Sequence, residues 1–198
     1  MIEENTPTLE TERLILRQFL ESDLPAYFDI MHDEKANRFL PWFPVQTMEE
    51  ASTLFHKNCL DMYEKPAAYR YAICLQKDNI PIGYCGCSGT ESNDIGYGLR
   101  SEFWHQGITT EAVTAMVERI RRAGYSYVTA THDVHNPRSG EVMKKIGMCY
   151  RYSYIERWQP KDLLVTFRMY QLNFDGDSAN TYMGYWDQYA NHFVEPNV

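Results

Sequence analysis

Apolar and polar residues alternate in seven segments of the chain and recur at helical spacing in four others. Leu14 and Leu16 occupy alternate positions of the first strand-like segment, whereas Ile108, Ala112 and Met116 recur at intervals of four. The predicted strands lie near residues 13–19, 69–77, 80–89, 93–100, 125–133, 148–157 and 162–172. The predicted helices lie near residues 22–32, 47–64, 107–123 and 138–147. This order predicts an α/β fold in which a mixed sheet carries helices on both faces.

The last part of the chain has a different pattern. After Asp175-Gly176-Asp177-Ser178, a possible helix cap, Tyr182, Trp186, Tyr189 and Phe193 follow at spacings of four, three and four residues. We therefore divide the chain into a main domain, 1–173, and a helical aromatic extension, 174–198. The extension would pack on the body or on a partner subunit in a homodimer; the alternative is that it covers a substrate site.

Composition narrows the class of protein. The chain of 198 residues has five cysteines, an odd number placed in periodic apolar segments, which favours reduced thiols over a disulfide framework. We find no signal-peptide pattern and no apolar run that could span a bilayer, so we expect a cytoplasmic protein without a membrane partner. Cys85-Gly86-Cys87 lacks a second ligand pair at metal spacing, and no metal site is predicted.

Charge is distributed unevenly along the chain. Residues 100–151 hold eight Lys or Arg against five Asp or Glu, whereas the whole chain carries a net charge of −8. The basic segment suits an anionic cofactor, and the acidic remainder disfavours nucleic acid and would attract a cationic amine. Asp33 and Glu34, with Trp42 and Phe43 in the next loop, are candidates for such an acceptor rim; alternatively, the two aromatic residues anchor the loop.

An anion site is predicted where a strand runs into a helix at residues 104–111. Gly107 would let a phosphate approach the backbone closely, and Thr109 and Thr110 would lie in the first helical turn. Because a helix start leaves backbone N–H groups unpaired and carries partial positive charge, a pyrophosphate would satisfy these donors.

Four ordered segments resemble the GNAT (GCN5-related) N-acetyltransferases, in particular the branch of ribosomal-protein N-terminal acetyltransferases. They are Thr11 to Arg17 (Thr-Glu-Arg-Leu-Ile-Leu-Arg), Ile95-Gly96-Tyr97, Gly107 with Thr110-Glu111-Ala112, and Asn136 and Ser139 followed by Lys145-Ile146-Gly147-Met148. The resemblance implies a mostly antiparallel seven-stranded sheet whose fourth and fifth strands splay apart. It also implies acetyl-CoA as cosubstrate, with the pantetheine arm pairing along the opened strand edge.

The resemblance further assigns roles to individual residues. Cofactor binding would fall to Leu99, His105, Gln106, Gly107, Ile108, Thr109, Thr110, Asn136 and Ser139. Catalytic roles would fall to Asp94 as a base, Asn136 on the pantetheine amides, and Ser139 near the thioester sulfur. Met143 stands where many relatives have a tyrosine acid. Asp94 also fits a turn residue, and Ser139 also fits a helix cap.

These observations favour an acetyl-CoA-dependent N-acetyltransferase that acts on a primary amine, either a protein N-terminus or a small cationic amine. Two alternatives stay open: a non-catalytic acyl-CoA sensor, because the tyrosine is missing, and an interaction protein that uses its aromatic extension. A Walker phosphate loop does not occur, and Gly86-Cys87-Ser88-Gly89-Thr90 fails the nucleophile-elbow pattern at its last position.

Overall fold

The computed structural model describes residues 5–64, 69–177, 179–196 and 198, and its strands form two antiparallel sheets. The first sheet has the order β1-β2-β3-β4-β5, with β1 Leu9–Glu10, β2 Leu14–Arg17, β3 Tyr69–Leu75, β4 Pro81–Cys87 and β5 Ile95–Leu99. The second has the order β6-β8-β7-β9, with β6 Tyr127–Asp133, β7 Cys149–Trp158, β8 Leu163–Asn173 and β9 His192–Phe193. The seven predicted strands correspond to β2 to β8, and the prediction is confirmed for each of them. The two-residue strands β1 and β9 were not predicted.

The helices connect and cover these strands. They are α1 Leu24–His32, α2 Met48–Asn58, α3 Ile108–Arg122, α4 Pro137–Lys145 and α5 Gly184–Gln188. The predicted helix over 47–64 ends six residues early, because the backbone leaves helical geometry at Cys59 (φ −124°, ψ −70°), and a 3₁₀ turn covers Leu60–Glu64. Two more 3₁₀ turns, Glu21–Asp23 and Ser101–Phe103, precede α1 and follow β5.

Strand β3 is buried on both faces and separates two apolar clusters. Tyr71 and Ile73 belong to the cluster that includes the inward face of α3, whereas Ala72 and Cys74 belong to the cluster under α1 and α2. Successive side chains of a strand point to opposite faces, so this alternation places helices on both sides of the sheet, as predicted.

The two sheets separate between β5 and β6. Only the start of the interval is closed, by a parallel bridge between Asp94 and Thr129 in which the Thr129 N–H donates to the Asn93 carbonyl at 3.3 Å. Beyond it β5 and β6 are the edges of different sheets. The predicted splay of the fourth and fifth strands is thereby confirmed, and it opens a V-shaped cleft.

The aromatic extension is only partly helical. Helix α5 covers five residues, and Phe193 lies in β9, where it pairs with Ser153 of β7. Among the described residues of the predicted helical extension, 174–198, only α5 is helical, because the open edge of β7 takes up the backbone groups of β9. Tyr154 of β7 stacks on Tyr189 at 4.7 Å and on Tyr185 at 5.3 Å, so the extension packs on its own chain. Ser178 of the expected cap lies outside the described residues.

Candidate active site

The loop before α3 has the geometry of an anion site. Gly107 precedes the helix with φ +75°, a left-handed conformation that glycine adopts without strain, and no side chain caps the helix start. His105 also has a positive φ, 63°. Ile108 is buried in the core, so only its backbone N–H can meet a ligand, whereas Thr109 and Thr110 are half-buried in the first turn. The arrangement leaves the first N–H groups of the helix available to a phosphate.

An ion pair connects this loop to the segment just before β2. The Arg13 guanidinium donates to Glu111 Oε2 at 2.7 Å through Nε and to the Gln106 carbonyl at 2.8 Å. The Thr11 hydroxyl donates to Glu111 Oε1 at 2.6 Å. Two of the four recognised segments, 98 positions apart at Arg13 and Glu111, are therefore joined by hydrogen bonds that hold the loop in place.

Strand β5 turns alternate backbone groups into the cleft. Leu99 faces Gly83 of β4, and the Arg100 N–H donates to the Ile82 carbonyl at 3.0 Å, which makes Leu99 and Gly83 a pair that exchanges no hydrogen bond. In an antiparallel ladder the N–H and C=O of such a residue point away from the partner strand. The Leu99 carbonyl accepts from Trp104 Nε1 at 2.9 Å, and its N–H remains directed toward the cleft.

Four of the predicted site residues meet at one cavity of about 290 Å³: Asp94, Leu99, Asn136 and Ser139. The predicted residues 105–110 lie outside its lining, because they form the separate loop at the start of α3. The cavity lies between β5, β6, the start of α4 and the loop after α1.

Ser139 is paired with Tyr97, a residue to which the sequence assigned no role of its own. The Tyr97 hydroxyl donates to the Ser139 carbonyl at 2.9 Å and lies 3.0 Å from Ser139 Oγ. Burial raises the pKa of Tyr97, so this hydroxyl keeps its proton at neutral pH. Asn136 precedes α4 and makes no side-chain cap bond to it, so its amide is not engaged by the helix that it starts.

The fold raises the pKa of the Asp94 carboxyl toward neutrality. Desolvation raises its pKa to about 7, and hydrogen bonds from Thr129 and Tyr185 oppose part of this rise. Thr129 Oγ1 lies 3.4 Å from Asp94 Oδ1. Tyr185 belongs to α5, so the C-terminal extension brings a hydroxyl near Asp94. A carboxyl with a pKa near neutrality can exchange a proton at physiological pH.

The expected acidic rim is not assembled. The Asp33 carboxylate accepts backbone N–H groups from Ser101, Lys35 and Ala36, at 2.6, 3.0 and 3.0 Å, which lowers its pKa and makes it a cap. Glu34 and Phe43 do not line the cavity, whereas Trp42 does and donates through Nε1 to Asn37 at 3.2 Å. Asp33 is sequestered because it joins the end of α1 to the turn after β5.

The basic segment does not surround the loop either. Arg121 and Arg122 pair with Glu118 at the end of α3, and the helix of 15 residues is about 20 Å long. Of these cations, Arg138 lies near the loop, 5.4 Å above the Trp104 ring. Sequence position alone overestimated the charge at the site, because a helix carries its last turn away from its first.

Within the described part of the chain no group of three His, Cys, Asp or Glu side chains could hold a metal ion. The five cysteines are free thiols, four of them buried and Cys149 exposed. None of the helices described is both long and apolar enough to cross a membrane.

The sheet splits next to a helix start, and a polar cavity lies at the split, which is the arrangement that the resemblance to acetyl-CoA-dependent acyltransferases implied. The acetyltransferase (GNAT) domain model matches residues 13–149, which is more than half of the chain. The protein therefore belongs to the GNAT acetyltransferase family, as the resemblance indicated, and it is an acyltransferase.

Similar proteins agree with this family. An uncharacterized N-acetyltransferase of Bacillus subtilis, YnaD, is 29% identical over 155 residues, which cover 77% of this chain and 88% of that protein. A GNAT-family acetyltransferase from Bacillus anthracis superposes with a TM-score of 0.74 at 21% identity, over 85% of this chain and 99% of that one. An acetyl transferase from Salmonella typhimurium that modifies the N-terminal serine of a 50S ribosomal subunit protein superposes with a TM-score of 0.71 at 22% identity, over 82% and 96%. Because both identities are below 25%, these two structures support the fold alone.

Proposed function

We propose that the protein transfers an acetyl group from acetyl-CoA directly to a primary amine. The observation that carries this proposal is the cavity into which β5 directs the Leu99 N–H and which Ser139, Asn136 and Asp94 line. Acetyl-CoA supplies an acetyl group activated as a thioester. The chain's own residues would hold that group, remove a proton from the amine and stabilise the charge that develops.

The residues present fit the cofactor. The uncapped start of α3 and the left-handed Gly107 offer N–H donors to a pyrophosphate. The outward N–H and C=O groups of β5 offer an edge to the amides of a pantetheine arm, and the Asn136 side chain would hold those amides. His105 and Gln106 shape the loop, and Thr109 and Thr110 place their hydroxyls in its first helical turn.

The proposed chemistry balances as an acyl substitution. The amine nitrogen bonds to the acetyl carbon, the carbon–sulfur bond breaks, and the proton that the ammonium must lose passes to the Asp94 carboxylate. The Leu99 N–H would stabilise negative charge on the acetyl oxygen. Ser139, oriented by Tyr97, would stabilise the leaving sulfur by a hydrogen bond rather than as a formal acid. This pair would take the place of the tyrosine acid that Met143 replaces.

Thiol release from acetyl-CoA with a panel of primary amines tests the proposal. Release that depends on both the amine and the protein, together with an acetylated amine in the mass spectrum, is the expected result. Binding of CoA by calorimetry without any turnover would instead indicate an acyl-CoA sensor. If neither binding nor turnover occurs in folded protein, the proposal fails and the interaction-protein alternative gains support.

A further inference from the structure

Arg70 is a cation at the acceptor side of the cavity without an anion to match it. It lies near the start of β3, on the sheet face that α1 and α2 cover, and it lines the cavity together with Tyr84, Asn37 and Trp42. Its Nε atom is buried and has no hydrogen-bond partner in the part of the chain that the structure describes. Among the described residues no carboxylate forms an ion pair with its guanidinium, and a buried polar group of this kind requires an explanation.

Another half-buried arginine of the same sheet shows what a structural role requires. Arg17 donates to both carboxylate oxygens of Asp23, at 2.6 and 3.1 Å, and also to the side chain and carbonyl of Asn79, each at 2.9 Å. This environment raises the pKa of Arg17, chiefly through the hydrogen bond to Asp23. Arg70 has no such set of acceptors, so holding the fold together does not account for it.

Glycines occupy the positions opposite Arg70 on the next two strands. Arg70 pairs across β4 with Gly86, which pairs in turn with Gly96 of β5. A Cβ added at Gly86 would lie 3.3 Å from Arg70 Nη1, whereas one at Gly96 would meet nothing within 4 Å. At Gly86 a Cβ would also lie 2.6 Å from the Tyr69 carbonyl oxygen, so Arg70 itself covers this glycine, whereas the surface at Gly96 is open. Two strand spacings separate Arg70 from Gly96, about 10 Å, and Asp94 lies two positions before Gly96.

The neighbouring polar groups add no negative charge. Tyr27, Cys59 and Tyr84 lie close enough to interact electrostatically with Arg70, and burial raises the pKa of each, so all three are neutral at physiological pH. A guanidinium pairs best with a planar, bidentate anion such as a carboxylate.

We propose that Arg70 binds a carboxylate of the acceptor, so that the substrate is a small primary amine that also carries a carboxylate. The inference rests on the proposed function and names the substrate class of the same site. The amine would lie toward Asp94 and the thioester, and the carboxylate would lie on Arg70 at the open surface beside Gly96. A cavity of about 290 Å³ that also takes the end of the pantetheine arm leaves room for an acceptor of amino-acid size.

Matched acceptors measure this contribution directly. An amino acid, its carboxamide and the corresponding decarboxylated amine differ only at the group that Arg70 would contact. A charge-assisted pair should favour the amino acid about 10- to 100-fold in kcat/KM, and Arg70→Met should abolish this preference. Arg38→Met is the matched control, because that guanidinium is exposed and lies over the Phe39 ring at 5.3 Å. A short peptide with an acidic second residue and a blocked C-terminus distinguishes a peptide carboxylate from a free amino acid.

Product binding tests the inference apart from turnover. An N-acetyl amino acid should bind the CoA-loaded protein more tightly than its carboxamide, and Arg70→Met should remove the difference. Folding is checked in parallel: Arg70→Met should leave Tm unchanged or higher, whereas Arg17→Met should lower it. Amines acetylated without preference for the carboxylate overturn the inference and leave the proposed function standing. If no amine is acetylated, the proposed function fails, and equal binding of the two products then refutes the role of Arg70 as well.

Discussion

Replacing Asp94 by asparagine should stabilise the folded protein. The same change should remove the carboxylate that accepts a proton from the amine substrate. The fold holds the pKa of this carboxyl at about 7 against an ordinary value of 3.8, chiefly by desolvation. The charged form is therefore disfavoured in the folded protein relative to the unfolded chain. An amide of the same shape avoids that penalty and keeps the contacts to Thr129 and Tyr185.

The sign and size follow from linkage. Below pH 3.8 the carboxyl is protonated in both states and costs nothing, whereas between pH 3.8 and 7 only the unfolded chain ionises, so the unfolding free energy falls as pH rises. Above pH 7 the penalty is constant. The full difference in pKa, from 3.8 to about 7, corresponds to roughly 4 kcal/mol. Because Asp94 is only half-buried and cleft water screens it, we expect about 1–3 kcal/mol.

Urea denaturation of wild type and D94N at pH 4, 5, 6, 7 and 8 measures this difference. The variant should gain stability over wild type progressively up to pH 7 and hold the gain at pH 8. Activity should move oppositely: kcat/KM of wild type rises with pH around an apparent pKa near 7, and the variant loses this limb with about 100-fold of its rate. Asp187→Asn, an exposed carboxyl of α5, is the matched control. A stability difference that is the same at every pH would refute the reasoning.

Variants at four further positions separate the parts of the site. Gly107→Val should abolish CoA binding in calorimetry, since φ is +75° and a β-branched side chain would fill the anion site, whereas Gly107→Asn, which tolerates this φ, should lose less. Ser139→Ala should lower kcat about tenfold with little change in acetyl-CoA affinity, and equal turnover would return Ser139 to a capping role. Tyr185→Phe should raise the apparent pKa of the rate profile, because a hydrogen bond to the Asp94 carboxylate is lost; an unmoved profile would exclude this contact. Arg13→Ala should weaken CoA binding through the loop at Gln106, and unchanged affinity would show that the loop holds itself.

The strands of the main domain and the anion loop were predictable because their signals are local. Alternation at Leu14 and Leu16, or a glycine before an amphipathic helix, is a property of neighbouring residues. Family segments supplied Asn136 and Ser139. Arg70 carried no local signal, since an isolated arginine in a strand looks like any edge residue. Its significance arises from carboxylates that are missing around it in space.

The structure departs from the predicted helical extension and from the predicted acidic rim for the same reason. The spacing of Tyr182 to Phe193 fits a helix, yet the helix α5 covers only five residues. After it the chain pairs as β9 with the free edge of β7 instead of continuing as a helix. Asp33 looks exposed in sequence, yet the turn after β5 brings the Ser101 N–H to it. In each case the structure depends on a partner that is distant in sequence, β7 or the Ser101 N–H, which a local sequence pattern cannot predict.

Two ionisable groups that line one cavity, Arg70 and Asp94, form no ion pair with another described residue. Arg17 and Arg13 have carboxylate partners and stabilise the fold, whereas Arg70 has none and Asp94 has a raised pKa. Such groups concentrate at functional sites, where a ligand supplies the missing partner. A substrate with an ammonium for Asp94 and a carboxylate for Arg70 would relieve both at once. The preference for such a substrate would then come from groups that the folded protein leaves unsatisfied. Removing the acid should therefore raise stability, removing the cation should not lower it, and either change should lower selectivity.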